Sequence, residues 1–133
     1  IVTGVQTCAL PISLDILKNI QPYEKRENDL KFDRIPDIST PFKTCEIKVD
    51  YDDIDVNKHV NNVRYLDWAL KTLDYDFRKT HKVNTIDIYY KKEISFGGRV
   101  LSEVEFDETR TNSIHRIKNA DTDEILCSIK IGW

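Results

Sequence analysis

The succession of patterns along this chain predicts an α+β domain: an antiparallel five-stranded sheet wrapped around one central helix. Three observations predict it. A single long amphipathic segment stands between one strand-like segment and four others. The last four strand-like segments are separated by short turn sequences, which only antiparallel neighbours can use. The amphipathic segment carries one apolar stripe, and a helix of that kind must bury its stripe on a sheet.

The first strand is read at Phe42 to Asp50, where period-two stretches and β-branched residues occur. Tyr51 to Lys58 is a polar loop. The helix is read at Asn61 to Asp74, because Val63, Leu66, Leu70 and Leu73 recur on one side with Ala69, while Arg64, Asp67 and Lys71 fall on the other. Tyr75 to Val83 is read as a basic loop. Asn84 to Phe96 is the next strand, and Gly97-Gly98 has the composition of a hairpin turn. Arg99 to Thr109, Ser113 to Asn119 and Glu124 to Trp133 complete the set. In the last, Ile125, Cys127, Ile129, Ile131 and Trp133 alternate with mostly polar residues, the pattern of a half-buried strand.

Residues 1–12 stand apart. Val2 to Ile12 is similar to the in-frame translation of a common short-read sequencing adapter, and the chain contains no Met. This segment is read as a non-native artefact joined to a truncated reading frame and is set aside from the fold, so Cys8 and Pro11 carry no functional meaning. Residues 13–41 are read as a short helix and an interdomain linker. Ser13 caps a helix whose Leu14, Leu17 and Ile20 share a face, and Pro22 ends it. The charged, Pro-punctuated stretch that follows has Phe32, Ile35 and Ile38 as apolar anchors against a surface. Residues 42–133 form the principal domain.

Composition excludes several classes. The 133 residues carry a net charge of -3, which argues against a nucleic-acid binder working by bulk electrostatics. Three scattered cysteines, Cys8, Cys45 and Cys127, suit neither a disulfide framework nor a zinc site. No metal is expected, and a reducing cytoplasmic setting is the default. No apolar run approaches the ~20 residues of a membrane span.

The chemistry-bearing stretch is Asp52 to Asp67. It places Asp55, Asn57 and His59 at every second position and runs directly into the helix at Asn61. Taken alone, such a loop can be no more than a capped helix entry. Polar groups converging on a helix N-terminus also suit chemistry at an acyl carbonyl, where negative charge develops on oxygen. Hydrolysis of a thioester needs an aimed water, a base for its proton and donors for the carbonyl oxygen. Glu93, by charge alone, is an acid among lysines.

The string Asp55-Val-Asn57-Lys-His59-Val-Asn61-Asn62, with Tyr65 beyond it, resembles the signature of acyl-ACP thioesterases, hydrolases of the hotdog fold. A second motif, Tyr90-Lys-Lys-Glu93, resembles the family's Tyr-basic-basic-Glu motif on the strand after the central helix. Pro22-Tyr23 and the Phe32 to Pro36 features of the linker extend the likeness over Ser13 to Trp133. The resemblance implies a catalytic set of Asp55, Asn57, His59 and Glu93, and substrate contacts from Asn61, Asn62, Tyr65 and Trp68. Of these, Tyr65 and Trp68 are read either as core or as lining of an acyl tunnel. Either Glu93 or Asp55 serves as water-activating base; as neighbouring carboxylates they would repel and push the pKa of one of them upward. Asn57 orients, and His59 donates or shuttles a proton. Backbone N–H groups at the helix start hold the oxyanion, each such donor being worth ~3 kcal/mol. Plant members carry a Cys after this Glu; here Ile94 stands there, which rules out a covalent thiol route through that position. Cys45 and Cys127 are read as buried structural thiols, His115 as structural and His81 as solvated.

The family is built of two hotdog domains in tandem, and this chain resembles the second with its linker. The resemblance therefore implies a fatty acyl-ACP hydrolase with no cofactor. Its partners are an acyl carrier protein bearing a phosphopantetheine-linked acyl chain and an N-terminal hotdog domain, and this half alone is expected to be inactive and to homodimerise, aggregate or be marginally stable. Arg78 to Lys82, with Lys91, Lys92 and Arg64, is either a docking patch for an acidic carrier or an ordinary solvated surface. Two other readings stand beside it: a single-hotdog acyl-CoA thioesterase, and a non-catalytic acyl-binding hotdog module.

Overall fold

The computed structural model describes residues 33–133 and the backbone of Val2 and Thr3. The helix expected at Ser13 to Ile20 and most of the linker lie outside the described residues. The elements are β1 (Val2–Thr3), β2 (Lys43–Lys48), a 3-10 turn (Tyr51–Asp53), α1 (Asn62–Leu70), α2 (Tyr75–Thr80), β3 (Thr85–Tyr90), β4 (Arg99–Phe106), β5 (Asn112–Asn119) and β6 (Ile125–Gly132). They form one sheet in the order β1-β3-β6-β5-β4-β2. β2 to β6 are the five antiparallel strands expected, with α1 packed on one face. β1 adds two residues in parallel along the edge of β3; a sheet edge offers a row of backbone donors and acceptors to any extended segment.

β1 lies in the segment that the sequence reading set aside from the fold, and three further differences concern the helices and β3. The central helix stops at Leu70, and α2 occupies what reads as a loop. Asp74 starts that second helix by accepting the Phe77 N–H at 2.8 Å, and Phe77 buries itself among Leu73, Val104, Phe106 and Trp133. The buried stripe of α1 is also rotated. Tyr65, Trp68 and Ala69 are each at most 1% exposed, whereas Val63 is 61% exposed. Aromatic rings remove more apolar area from water than a valine, so they take the core side. The third difference concerns β3, which ends at Tyr90 rather than Phe96. Lys91 and Lys92 both donate backbone N–H groups to the Leu126 carbonyl, at 2.8 and 3.1 Å, and the chain leaves the ladder there.

Gly97-Gly98 consequently makes no hairpin, because β3 and β4 lie towards opposite sides of the sheet. Gly98 N–H closes a turn on the Ser95 carbonyl at 3.1 Å, and Gly97 takes a left-handed φ of +78°. The turn docks on the end of β2 instead. Val49 N–H donates to the Gly98 carbonyl at 2.8 Å and Gly97 N–H to the Val49 carbonyl at 3.1 Å. The true hairpins are β4–β5 and β5–β6.

The inner sheet face presents Ile47, Val49, Val100, Ile117, Cys127, Ile129 and Ile131 to α1, all buried. The outer face is charged. Buried Glu103 receives Arg116 Nε at 2.7 Å and pairs with Lys118 at 3.3 Å. Arg116 Nη1 also reaches the Asp37 carboxylate at 2.8 Å and the Ile38 carbonyl at 3.0 Å. Ile38 is buried, so the described end of the linker lies on this face as an anchored strap.

One polar cluster sits inside. His115 is fully buried. Its Nε2 lies 2.9 Å from Ser113 Oγ and its Nδ1 3.5 Å from Thr72 Oγ1, which itself donates to the Ala69 carbonyl at 2.7 Å. Ser113 Oγ accepts the Trp133 indole N–H at 2.9 Å. A neutral imidazole fits this set, Nδ1–H facing the Thr72 hydroxyl oxygen and Nε2 accepting from Ser113. Burial pushes the His115 pKa down to about 4. The unfolded chain therefore binds a proton that the folded chain refuses as pH falls below the ordinary histidine value. Stability is expected to be full above about pH 6.5 and to decline towards pH 4, by up to about 3 kcal/mol from this group. Urea denaturation at pH 7, 5.5 and 4.5 on the wild type and on His115→Gln checks this; the variant should show the shallower acid limb.

Candidate active site

The loop between β2 and α1 is a small closed hairpin. Its base is an antiparallel bridge between Ile54 and Val60, and Asn61 N–H donates to the Asp53 carbonyl at 2.8 Å. Inside it, Asp55 N–H donates to the His59 carbonyl at 2.8 Å. Asp55 Oδ1 accepts the N–H groups of Asn57 at 2.8 Å and His59 at 3.2 Å. Lys58 takes a φ of +65°, the left-handed conformation that turns the chain back. Asp55 thus holds the loop in shape, and the return leg presents His59.

Glu93 arrives from the irregular segment after β3. Its neighbour Ile94 is buried in the core, where Gly98 packs against it. His59 Nδ1 lies 2.7 Å from Glu93 Oε2, across 34 positions of sequence. The two side chains are 53% and 48% exposed. A carboxylate facing Nδ1 places the ring proton there and leaves Nε2 as the basic nitrogen. Sequence reasoning set Glu93 against Asp55 as two repelling carboxylates. The structure meets Glu93 with an imidazole instead, while Asp55 faces its own loop.

The remaining residues fall into two groups. Asn57 is exposed, and its side-chain amide makes no hydrogen bond within the described residues. Asn61 caps α1 by accepting the Val63 N–H at 3.0 Å, and its carbonyl takes the Arg64 N–H at 2.9 Å. Of the first three helix amides, that of Asn62 is the one without an acceptor among the described residues. Tyr65 and Trp68 are core residues, each 1% exposed, with ring centroids 5.0 Å apart. Burial raises the Tyr65 hydroxyl to about 12, although the Ile94 backbone amide facing it acts the other way. Tyr90 is raised to about 12 by the same cause. Its hydroxyl donates to the Asn62 carbonyl at 3.0 Å and ties β3 to the helix start; its place at the head of the Tyr-Lys-Lys-Glu motif was the only sequence signal.

Burial holds Cys127 up at about 12, and Cys45 is free and half-buried. Among the described residues there is no cluster of three His, Cys, Asp or Glu side chains that could hold a metal, and no helix is long and apolar enough to cross a membrane. A cavity of about 320 Å³ lies elsewhere, lined in part by Phe42, Leu73, Phe77, Phe106 and Arg110, and includes none of the sequence-predicted site residues. The basic stretch Arg78 to Lys82 also lies away from the pair. Phe77 packs on Phe106 and Trp133, whereas Glu93 follows the Leu126 contact at the other end of the sheet. Arg64 is paired with Asp53 and Asp67, and Lys92 with Glu124.

A five-stranded antiparallel sheet around one helix, with an acid–imidazole pair at the helix entry, defines a hotdog-fold domain. Residues 38–133 match the family model of the acyl-ACP thioesterase C-terminal domain, and the chain belongs to that family. It is 32% identical over 69 residues to the Arabidopsis thaliana chloroplastic oleoyl-acyl carrier protein thioesterase 1, a match covering 50% of this chain and 19% of that protein. The 12:0-ACP thioesterase from Umbellularia californica superposes with a TM-score of 0.70 at 17% identity, over 86% of this chain and 43% of that one. An acyl-ACP thioesterase from Bacteroides thetaiotaomicron superposes with a TM-score of 0.66 at 23% identity, over 85% and 44%. The chain thus spans under half of these solved relatives and about a fifth of the curated one.

Gly98 offers a direct test of how Glu93 is held. A Cβ there would lie 2.6 Å from Ile94 Cγ1 and 3.0 Å from the Ser95 carbonyl. Gly98→Ala is expected to cost about 1–3 kcal/mol, read by chemical denaturation, and to shift the His59 imidazole resonances by moving the Glu93 segment.

Proposed function

We propose that this domain supplies the catalytic groups for hydrolysis of a fatty acyl thioester carried by the phosphopantetheine arm of an acyl carrier protein. The 2.7 Å contact between His59 and Glu93 carries the reading. Glu93 holds the imidazole in one tautomer and stabilises the imidazolium that forms. His59 Nε2 takes a proton from water as that water attacks the thioester carbonyl. The tetrahedral oxyanion is met by the Asn62 N–H at the positive end of α1 and by the Asn57 side-chain amide. Collapse expels the thiolate, and the imidazolium returns the proton to sulfur, releasing free fatty acid. Asp55 serves by shaping the loop that presents Asn57 and His59.

The surroundings of the pair support a site completed by a second domain. Val56, Val63 and Phe96 flank it in sequence and are 98%, 61% and 63% exposed. Large apolar side chains left in water on the segments that carry the pair suit an interface, and the occupant is a second hotdog domain within the same polypeptide or a second copy. The free thiols Cys45 and Cys127 suit a reducing, cytoplasmic setting.

Full-length protein containing this domain should hydrolyse acyl-ACP in preference to acyl-CoA. His59→Ala should lower kcat by about 10²–10⁴-fold, Glu93→Ala by a similar amount, and Asn57→Ala by less. Wild-type rates in all three variants would refute the assignment, and a preference for acyl-CoA would replace the carrier. Size-exclusion chromatography of the 133-residue chain should show dimers or larger species; a monomer at micromolar concentration would count against a covered apolar face.

A further inference from the structure

Arg64 stands on the first turn of α1 and was read from sequence as an outward-facing cation. Its guanidinium points back across the base of the catalytic loop. Nη2 donates to the Asp52 carbonyl at 2.9 Å, Nε lies 3.4 Å from Asp53 Oδ1, and Nη1 lies 3.3 Å from Asp67 Oδ2. Asp53 is itself built into the loop. Its side chain accepts the Asp50 N–H at 2.9 Å, and its carbonyl accepts the Asn61 N–H at 2.8 Å. Asp53 is well covered, its side chain 14% exposed.

Resting on the thioester-hydrolysis reading, we propose that Arg64 is a positioning residue: it clasps the 3-10 turn at Tyr51–Asp53 to the start of α1, and so fixes where the loop between them presents His59 to Glu93. The loop that carries Asp55, Asn57 and His59 leaves from one side of this clasp and returns on the other. Two of its three contacts reach the outgoing strand of the loop, and the third, to Asp67, braces the guanidinium along the helix. An exposed ion pair adds little to stability, so the contribution lies in geometry. A planar fork with several fixed donors can hold a carbonyl and two carboxylates at once, whereas a lysine ammonium is a single point on a flexible stem.

The test compares Arg64→Met, which keeps the apolar stem, with the milder Arg64→Lys. Met should lower kcat for acyl-ACP by about tenfold and change KM less than about twofold, with Lys between Met and wild type. In the chain itself, the His59 Nδ1 proton resonance, held by Glu93, should broaden or vanish in Arg64→Met. The His115 imidazole signals, deep in the core, should stay where they are. Wild-type kcat together with an unchanged His59 resonance in Arg64→Met would overturn the proposal. So would a loss of the His59 and His115 signals together, which marks general unfolding, provided Arg64→Lys behaves as wild type in both readouts. Glu93→Gln separates the two readings. If it hydrolyses acyl-ACP as wild type does, the catalytic assignment fails, while the resonance measurement still judges the clasp.

Discussion

Tyr65, Trp68 and Ala69 are each at most 1% exposed, wedged between the helix axis and the inner face of the sheet. Their burial decides the rotation of α1, and through it the direction in which the helix N-terminus points. Truncating a buried aromatic of this kind typically costs about 3–5 kcal/mol, a large part of the stability of any domain of this size. Tyr65 and Tyr90 meet edge to face at 5.6 Å, and the Tyr90 hydroxyl bonds the Asn62 carbonyl. The same aromatic packing that closes the core therefore locates the first turn of the helix, which carries Asn62 and Arg64.

Two chain segments with different supports meet at the pair. His59 hangs on a loop made rigid from within, by Asp55 accepting two of the loop's own amides and by the bridge between Ile54 and Val60. Glu93 hangs on an irregular segment made rigid from below, by Ile94 in the core and by backbone bonds to Leu126. Each support is local, and neither requires the other. Their convergence comes from the sheet, which brings the end of β2, the Gly97-Gly98 turn and the start of β6 together at one end of the domain.

The charged outer face does separate work. Glu103, Arg116 and Lys118 form a partly buried network with Asp37 and Asp123. Arg116 holds its charge under burial through its bonds to Glu103 and Asp37. The network fastens Asp37 and Ile38 to the sheet, so the chain entering the domain has a defined track ahead of β2.

Much of the architecture was legible in the residues. Alternation marked β2, β5 and β6 to within a few positions, since a strand buried on one face writes its period into the sequence. Asp55, Asn57 and His59 were visible as a group because they share one short loop. What could not be read there were relations between distant segments. The glycines announced a turn, but only the strand order shows that the turn serves β2 rather than a hairpin. Periodicity alone favoured Val63 over Tyr65, because one-dimensional spacing does not weigh ring size against the space the sheet leaves. Asp74 looked like the end of a helix, and it became the cap of another because Phe77 had a pocket to fill. Sequence by itself determined the kinds of element and the chemistry available to them; the tertiary structure alone decided that Glu93 faces His59, since that contact spans 34 residues and depends on which strands lie side by side.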